Sequence, residues 1–140
     1  MSTARLKQCG GVYLAERGAI FDGNLRLPGS LILPHDCHVW GDLVVNGRLD
    51  LGPHSTVGGR IACERAFVGH HAVLRGGLSS TGDVTVADGA HVASIEAGGT
   101  VLLRPGITVG DVRTTGLILI HGRITSGLLL GRQVKVFGNG

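Results

Sequence analysis

The sequence predicts an all-β, single-domain parallel β-solenoid. Three observations carry this: an aliphatic repeat of 17–18 residues, alternation of period two inside each unit, and turn-forming residues at fixed places in the unit. The small residues Gly23, Gly41, Gly59, Gly76, Ala93, Gly110 and Gly127 recur at intervals of 18, 18, 17, 17, 17 and 17 residues. Two positions after each stands an aliphatic residue: Leu25, Leu43, Ile61, Leu78, Ile95, Val112 and Leu129. Eight positions after come Leu31, Leu49, Phe67, Val84, Val101 and Ile118. Ten positions after come Leu33, Leu51, Gly69, Val86, Leu103, Ile120 and Phe137, with Gly69 the poor fit. Equivalent residues then stack about 4.8 Å apart as columns of a continuous core, and about six rungs make a rod on the order of 30 Å long.

Segments such as Leu49-Asp50-Leu51 alternate apolar and polar side chains, which is strand geometry. One corner of the unit repeats glycine at Gly29, Gly47, Gly82, Gly99 and Gly116, with Arg65 and Gln133 as exceptions. Such a column needs either a positive φ angle or close approach of stacked backbones. The other corner carries Pro34, Pro53, Asp88-Gly89 and Pro105-Gly106, which form turns. Residues 1–18 are expected as an N-terminal tail and candidate cap, 19–137 as the β-helix and 138–140 as a C-terminal tail.

Composition narrows the function classes. The chain has 140 residues, 43% of them apolar but only 4% aromatic, so the core is aliphatic. Its 25 glycines lack a three-residue period, which excludes collagen, and no apolar run approaches the roughly 20 residues that cross a bilayer as a helix. Met1 to Gly11 contains no signal-peptide-like stretch, so a cytoplasmic location is expected. Cys9, Cys37 and Cys63 form no CxxC pair and are read as free thiols. The net charge of +3 arises from scattered arginines without a basic run, so no nucleic-acid partner is expected.

The near-18 period also belongs to the left-handed hexapeptide helix of acyltransferases, with an aliphatic residue every six positions. Six-residue steps from Leu51 reach Val57, Cys63, Gly69 and Arg75, which disfavours that class. The phrases Val39-Trp40-Gly41-Asp42-Leu43, Val57-Gly58-Gly59-Arg60-Ile61 and Leu74-Arg75-Gly76-Gly77-Leu78, with Gly110-Asp111-Val112 and Leu117-Ile118-Leu119, resemble the bactofilins. The resemblance covers roughly residues 19–137. It implies a compact right-handed β-helix that assembles end to end into non-polar cytoskeletal filaments without nucleotide, as a scaffold for cell shape or protein localisation. It also implies a polymer contact at a phenylalanine near the C-terminal end, for which Phe137 is the matching position. Many members carry an N-terminal membrane-targeting segment, which implies a place at the inner face of the membrane and weak association with its surface. Arg5, Lys7 and Cys9 are not the hydrophobic residues such a segment would use.

No catalytic, cofactor or metal residue is expected. The histidines His35, His38, His54, His70, His71, His91 and His121 lack the five-residue pairing of γ-class carbonic anhydrases and read as surface or corner residues, with His70-His71 the one local cluster. Neither Lys7 nor Lys135 follows a glycine, so there is no phosphate-binding P-loop, and no GxSxG elbow occurs. Asp22, Asp42, Asp83 and Asp111 sit near corners, where a carboxylate usually serves the turn. Tyr13 and Trp40 are lone aromatics, and Trp40 points away from the Leu25–Leu43 column, an exposed ring expected to pack partly on the first rung or the N-terminal segment.

The physical reading converges on self-assembly. A solenoid ends in rungs whose backbone groups and aliphatic columns are cut off, and monomeric examples blunt them with polar caps. No capping helix is visible in the sequence. The apolar stretches around Ile20 and Phe21 at one end, and Val134, Val136 and Phe137 at the other, are therefore the expected polymer interface. Lys135 falls where the column wants an aliphatic residue, and a one-residue slip would turn Val134 and Val136 inward instead. The rival classes are a hexapeptide or γ-carbonic anhydrase type enzyme, and an adaptor that binds peptide along the solenoid's side.

Overall fold

A computed structural model describes residues 6–137, and no helix occurs among them. The described residues form three sheets of nine, seven and six strands, and each turn of the chain contributes one short strand to each sheet. Pairing between turns is parallel throughout, which makes the chain a parallel β-solenoid of about seven turns rather than six. The three walls enclose one aliphatic core.

The two-residue offset holds along the whole rod. Leu25, Leu43, Ile61, Leu78, Ile95, Val112 and Leu129 lie opposite one another on successive strands of the seven-stranded sheet. In the nine-stranded sheet the expectation fails at two rungs, the first of them in the middle of the rod. Ala66 stands between Leu49 and Val84, and Val68 between Leu51 and Val86, in place of Phe67 and Gly69. The chain runs six residues from Leu43 to Leu49 but only five from Ile61 to Ala66. The missing residue is absorbed at the corner, where Glu64 rather than Arg65 takes the glycine place. Its N–H donates to Gly47 O at 2.9 Å, and its carbonyl accepts from Gly82 N at 2.8 Å. A shift of one residue exchanges faces, so Phe67 points outward and Ala66 is buried.

A third wall completes the core. Phe21, Val39, Val57, Leu74, Val92 and Val109 stack in the six-stranded sheet, beside a narrower buried set of Cys37, Ser55, Ala72, Ala90 and Ile107. Buried side chains therefore recur every six residues through Leu27, Leu33, Val39, Val45, Leu51, Val57 and Cys63, then resume one residue early at Val68. The six-residue trace from Leu51 stops at Gly69 because of this contraction, and the recurrence breaks again between Val92 and Ala97, where the step is five residues. The buried hydroxyls are partnered: Ser55 accepts from Cys37 N–H and donates to Pro34 O, both at 3.2 Å.

The two repeating corners use different physics. A Cβ added to Gly116 would lie 2.8 Å from the carbonyl oxygen of Gly99, so this corner is glycine-rich because stacked backbones touch. The turn corner is the one with positive φ, at 72° for Gly89 and 79° for Gly106. The same left-handed geometry falls on Asp36, His54 and His71 in earlier turns, residue types that tolerate it better than most.

The N-terminal segment is a cap made of strands. Leu6–Cys9 and Val12–Ala15 pair antiparallel around Gly10 and Gly11, whose φ angles of 58° and 120° suit a tight hairpin. Val12–Ala15 then pairs parallel with Ser30–Leu33, so the hairpin extends the nine-stranded sheet past the first full turn.

Candidate assembly ends

At the C-terminal end the strand Gln133–Phe137 forms the outer edge of the nine-stranded sheet. Val134 stands opposite Ile118 and Val136 opposite Ile120, so both continue the inward columns and Lys135 points out. The ten-residue offset that assigns Phe137 to the Ile120 column is thus corrected. Leu129 to Val134 is again five residues, and this contraction turns the charged Lys135 to water. Nothing among the described residues covers these columns, and Val134, Val136 and Phe137 remain 42%, 63% and 47% exposed. Phe137 is an outer residue stacked on His121, not a plug of the core. Leu128 and Leu130, missed by the column reading, add exposed apolar surface to the same turn.

The N-terminal end is only partly open. Ile20 and Phe21 lie in the edge strand of the six-stranded sheet, paired on one side with His38 and Val39. Ile20 is 43% exposed, whereas Phe21 is already in the core. The strand Leu25–Leu27 is the matching edge of the seven-stranded sheet. In the nine-stranded sheet the hairpin stands in the way, so the two ends of the rod are not equivalent surfaces.

Three of the four corner acids serve the backbone. Asp42, Asp83 and Asp111 each accept, at 2.9 Å, the N–H of a residue one turn further on: Arg60, Thr100 and Leu128. His54, His70 and His71 gather at one corner, with ring centroids 5.3–5.7 Å apart. Among the described residues, no group of three His, Cys, Asp or Glu side chains converges as metal ligands. His35 donates to Asp36 at 3.0 Å, and this hydrogen bond holds the Asp36 carboxyl below its usual range. Trp40 is exposed and stacks on His38, with centroids 5.5 Å apart, and its ring also lies over Gly58 of the next turn. Cys9 is exposed, while Cys37 and Cys63 are buried, and all three thiols are free. Burial pushes the Cys37 thiol up and the Cys63 thiol up to about 11.

Outside the ends, the outer face of the nine-stranded sheet carries an apolar groove of about 580 Å³ lined by Ile32, Pro34, Pro53, Phe67 and His70. The Arg48–Asp50 ion pair, 2.9 Å long, sits on its wall. Compared with family models, curated proteins and solved structures, the chain finds no match.

Proposed function

We propose that this chain is a structural protein that assembles end to end into filaments without nucleotide. In this reading the filaments are non-polar and act as a cytoplasmic scaffold for cell shape or protein localisation, at the inner face of the membrane. The observation that carries it is the edge strand Gln133–Phe137, which leaves backbone groups and the Val134 and Val136 columns open at one end of the rod. An exposed apolar edge strand is a template for pairing with another chain. Another copy offers strands of matching length, and Ile20 supplies a second exposed apolar position at the opposite end.

Negative-stain microscopy of the purified chain in nucleotide-free buffer tests this reading. Long unbranched threads are expected, and a protein that stays monomeric as its concentration rises overturns it. Two observations favour rival readings. The six-residue recurrence of buried side chains fits a hexapeptide-type enzyme, which would be a trimer with acyltransferase or carbonic anhydrase activity. The groove beside Phe67 fits an adaptor that takes a peptide along its side. A trimer by sedimentation with either activity would replace the filament reading with the enzyme.

A further inference from the structure

The outer face of the nine-stranded sheet carries a stripe of apolar side chains along the rod. One outward column runs in register through Leu14, Ile32, Phe67, Leu102 and Leu119, interrupted by Asp50 and Thr85 and ended by Lys135. Leu14, Ile32 and Phe67 are exposed. Single exposed aliphatics are ordinary, but a continuous stripe on one wall marks an interaction surface. The next outward column has two unlike halves. Gly52, Gly69 and Ala87 leave the hollow of about 580 Å³ beside Phe67. In the later turns the same column carries bulk, as Arg104, His121 and Phe137.

We propose that two copies of this chain pair side by side through this wall, with the rods antiparallel. The two-fold axis crosses the rod between Thr85 and Leu102. It sets Asp50 of one copy opposite Lys135 of the other, Phe67 opposite Leu119, and Thr85 opposite Leu102. Phe137, His121 and Arg104 then fall opposite Gly52, Gly69 and Ala87, so the bulk of each rod enters the hollow of the other. Every contact is made twice, as two-fold symmetry requires.

Charge selects the second copy and the register. Asp50 and Lys135 are the only charges in the apolar column, and they are opposite in sign. Arg48 Nε donates to Asp50 Oδ1 at 2.9 Å, which leaves Oδ2 for a lysine. A slip of one strand either way would set Asp50 against Leu119 or Lys135 against Phe67, stranding a charge on an apolar side chain. Arg104, already bonded to Asp88 at 3.3 Å within its own chain, meets a second Asp88 beside the Ala87 it faces. A peptide held in the hollow would leave Leu102 and Leu119 bare. This goes beyond the end-to-end reading and does not depend on it, because the strand edge Gln133–Phe137 stays free to stack.

The test is cross-linking of full-length chains in which Cys9→Ser removes the exposed thiol. Asp50→Cys and Lys135→Cys are made in separate chains, mixed in equal amounts and treated with a short bis-maleimide. The mixed dimer joins the two new thiols on one side and keeps an Asp50–Lys135 pair on the other. End-to-end stacking does not bring these positions together, because Asp50 lies several turns from either open edge of its sheet, five strands from Lys135 and roughly 24 Å away along the rod. A covalent dimer is expected from the mixture, at a yield about fivefold or more above that of either chain alone. Adding Phe67→Lys to both chains should cut that yield about tenfold. Ala62→Lys, which adds the same charge to the exposed face of the seven-stranded sheet, should change it less than about twofold. Circular dichroism confirms that each variant is folded. Equal yields from the mixture and the single chains would overturn the proposal, as would equal losses from Phe67→Lys and Ala62→Lys. Threads are imaged separately. Threads without the cross-link overturn side-by-side pairing and leave the end-to-end reading intact, whereas the cross-link without threads does the reverse.

Discussion

Phe137 lies flat on His121 across the last strand pair of the nine-stranded sheet, with ring centroids 4.9 Å apart and planes 19° from parallel. The stack holds the aromatic on the outside of the final turn, beside the open edge and away from the core. Its removal should therefore touch association before it touches folding. Phe137→Arg is expected to give short, soluble species whose circular dichroism still reports β-structure, with a stability loss under about 1 kcal/mol. Electron microscopy and a thermal melt read the two effects apart. Filaments of normal length from this variant would remove Phe137 from the contact, and an unfolded product would make it a core residue after all.

The core register has a sharper test. Ile95 is buried between Leu78 and Val112, whereas Thr85 faces outward between Phe67 and Leu102. Ile95→Asp puts a carboxylate with no partner into an aliphatic column, at a cost of about 3 kcal/mol or more. Thr85→Asp should cost less than about 1 kcal/mol, because its side chain reaches water. Chemical denaturation of both variants would show the difference as a shift in midpoint.

Three glycines separate close approach from conformation. Gly116→Ala drives a methyl to 2.8 Å from the Gly99 carbonyl oxygen and is expected to cost about 2 kcal/mol. Gly106→Ala has room for its methyl but sits at a φ of 79°, so a penalty of about 1–2 kcal/mol is expected from backbone conformation alone. Gly23→Ala meets nothing within 4 Å and should be within about 0.5 kcal/mol of the parent. Equal melting temperatures for all three would contradict the stacking geometry.

Thiol labelling follows burial. With a thiol reagent near neutral pH, Cys9 should react at the rate of a free thiol, and Cys37 and Cys63 only after denaturation. The folded Cys63 thiol titrates at about 11 instead of near 9, so the folded state keeps a proton that the unfolded chain gives up. That contribution to stability is complete below pH 9 and is lost as the pH rises from 9 towards 11. Denaturation midpoints across that range should fall in the parent and fall less in Cys63→Ala.

The solenoid itself was readable because seven aliphatics at one offset all landed in one column, from Leu25 to Leu129. The third wall was not, because its apolar column stands two residues before the small residue at Phe21, Val39, Val57 and Leu74 but one before it at Val92 and Val109, and its other inner positions include the small residues Cys37, Ser55, Ala72 and Ala90. Phe67 and Phe137 misled for a common reason. Each follows a five-residue run where other turns use six, and a fixed offset counted from the glycine cannot detect a residue lost at a corner. The mismatch was nevertheless visible locally, in Arg65 where glycine was expected and in Gly69 where an aliphatic was. The hairpin Leu6–Cys9 with Val12–Ala15 was hidden by its brevity, although Gly10-Gly11 between two four-residue runs is a hairpin signature. The groove beside Phe67 left no signal at all, since its lining comes from several turns and is assembled only by stacking.

The lost residue between Ile61 and Ala66 shows how this architecture handles length errors. The deletion displaces nothing downstream, because the next strand re-engages its neighbours through Ala66 and Val68 and the corner alone changes shape. Insertions and deletions are thus quarantined within a single bend. By the same logic a whole turn is a removable module. Excising residues 78–94 would carry Ile95 into the place of Leu78, its partner in register, and shorten the rod by about 4.8 Å. The chain behaves as a ruler graduated in turns, whose span can be reset by gene-level duplication or loss without redesigning the core.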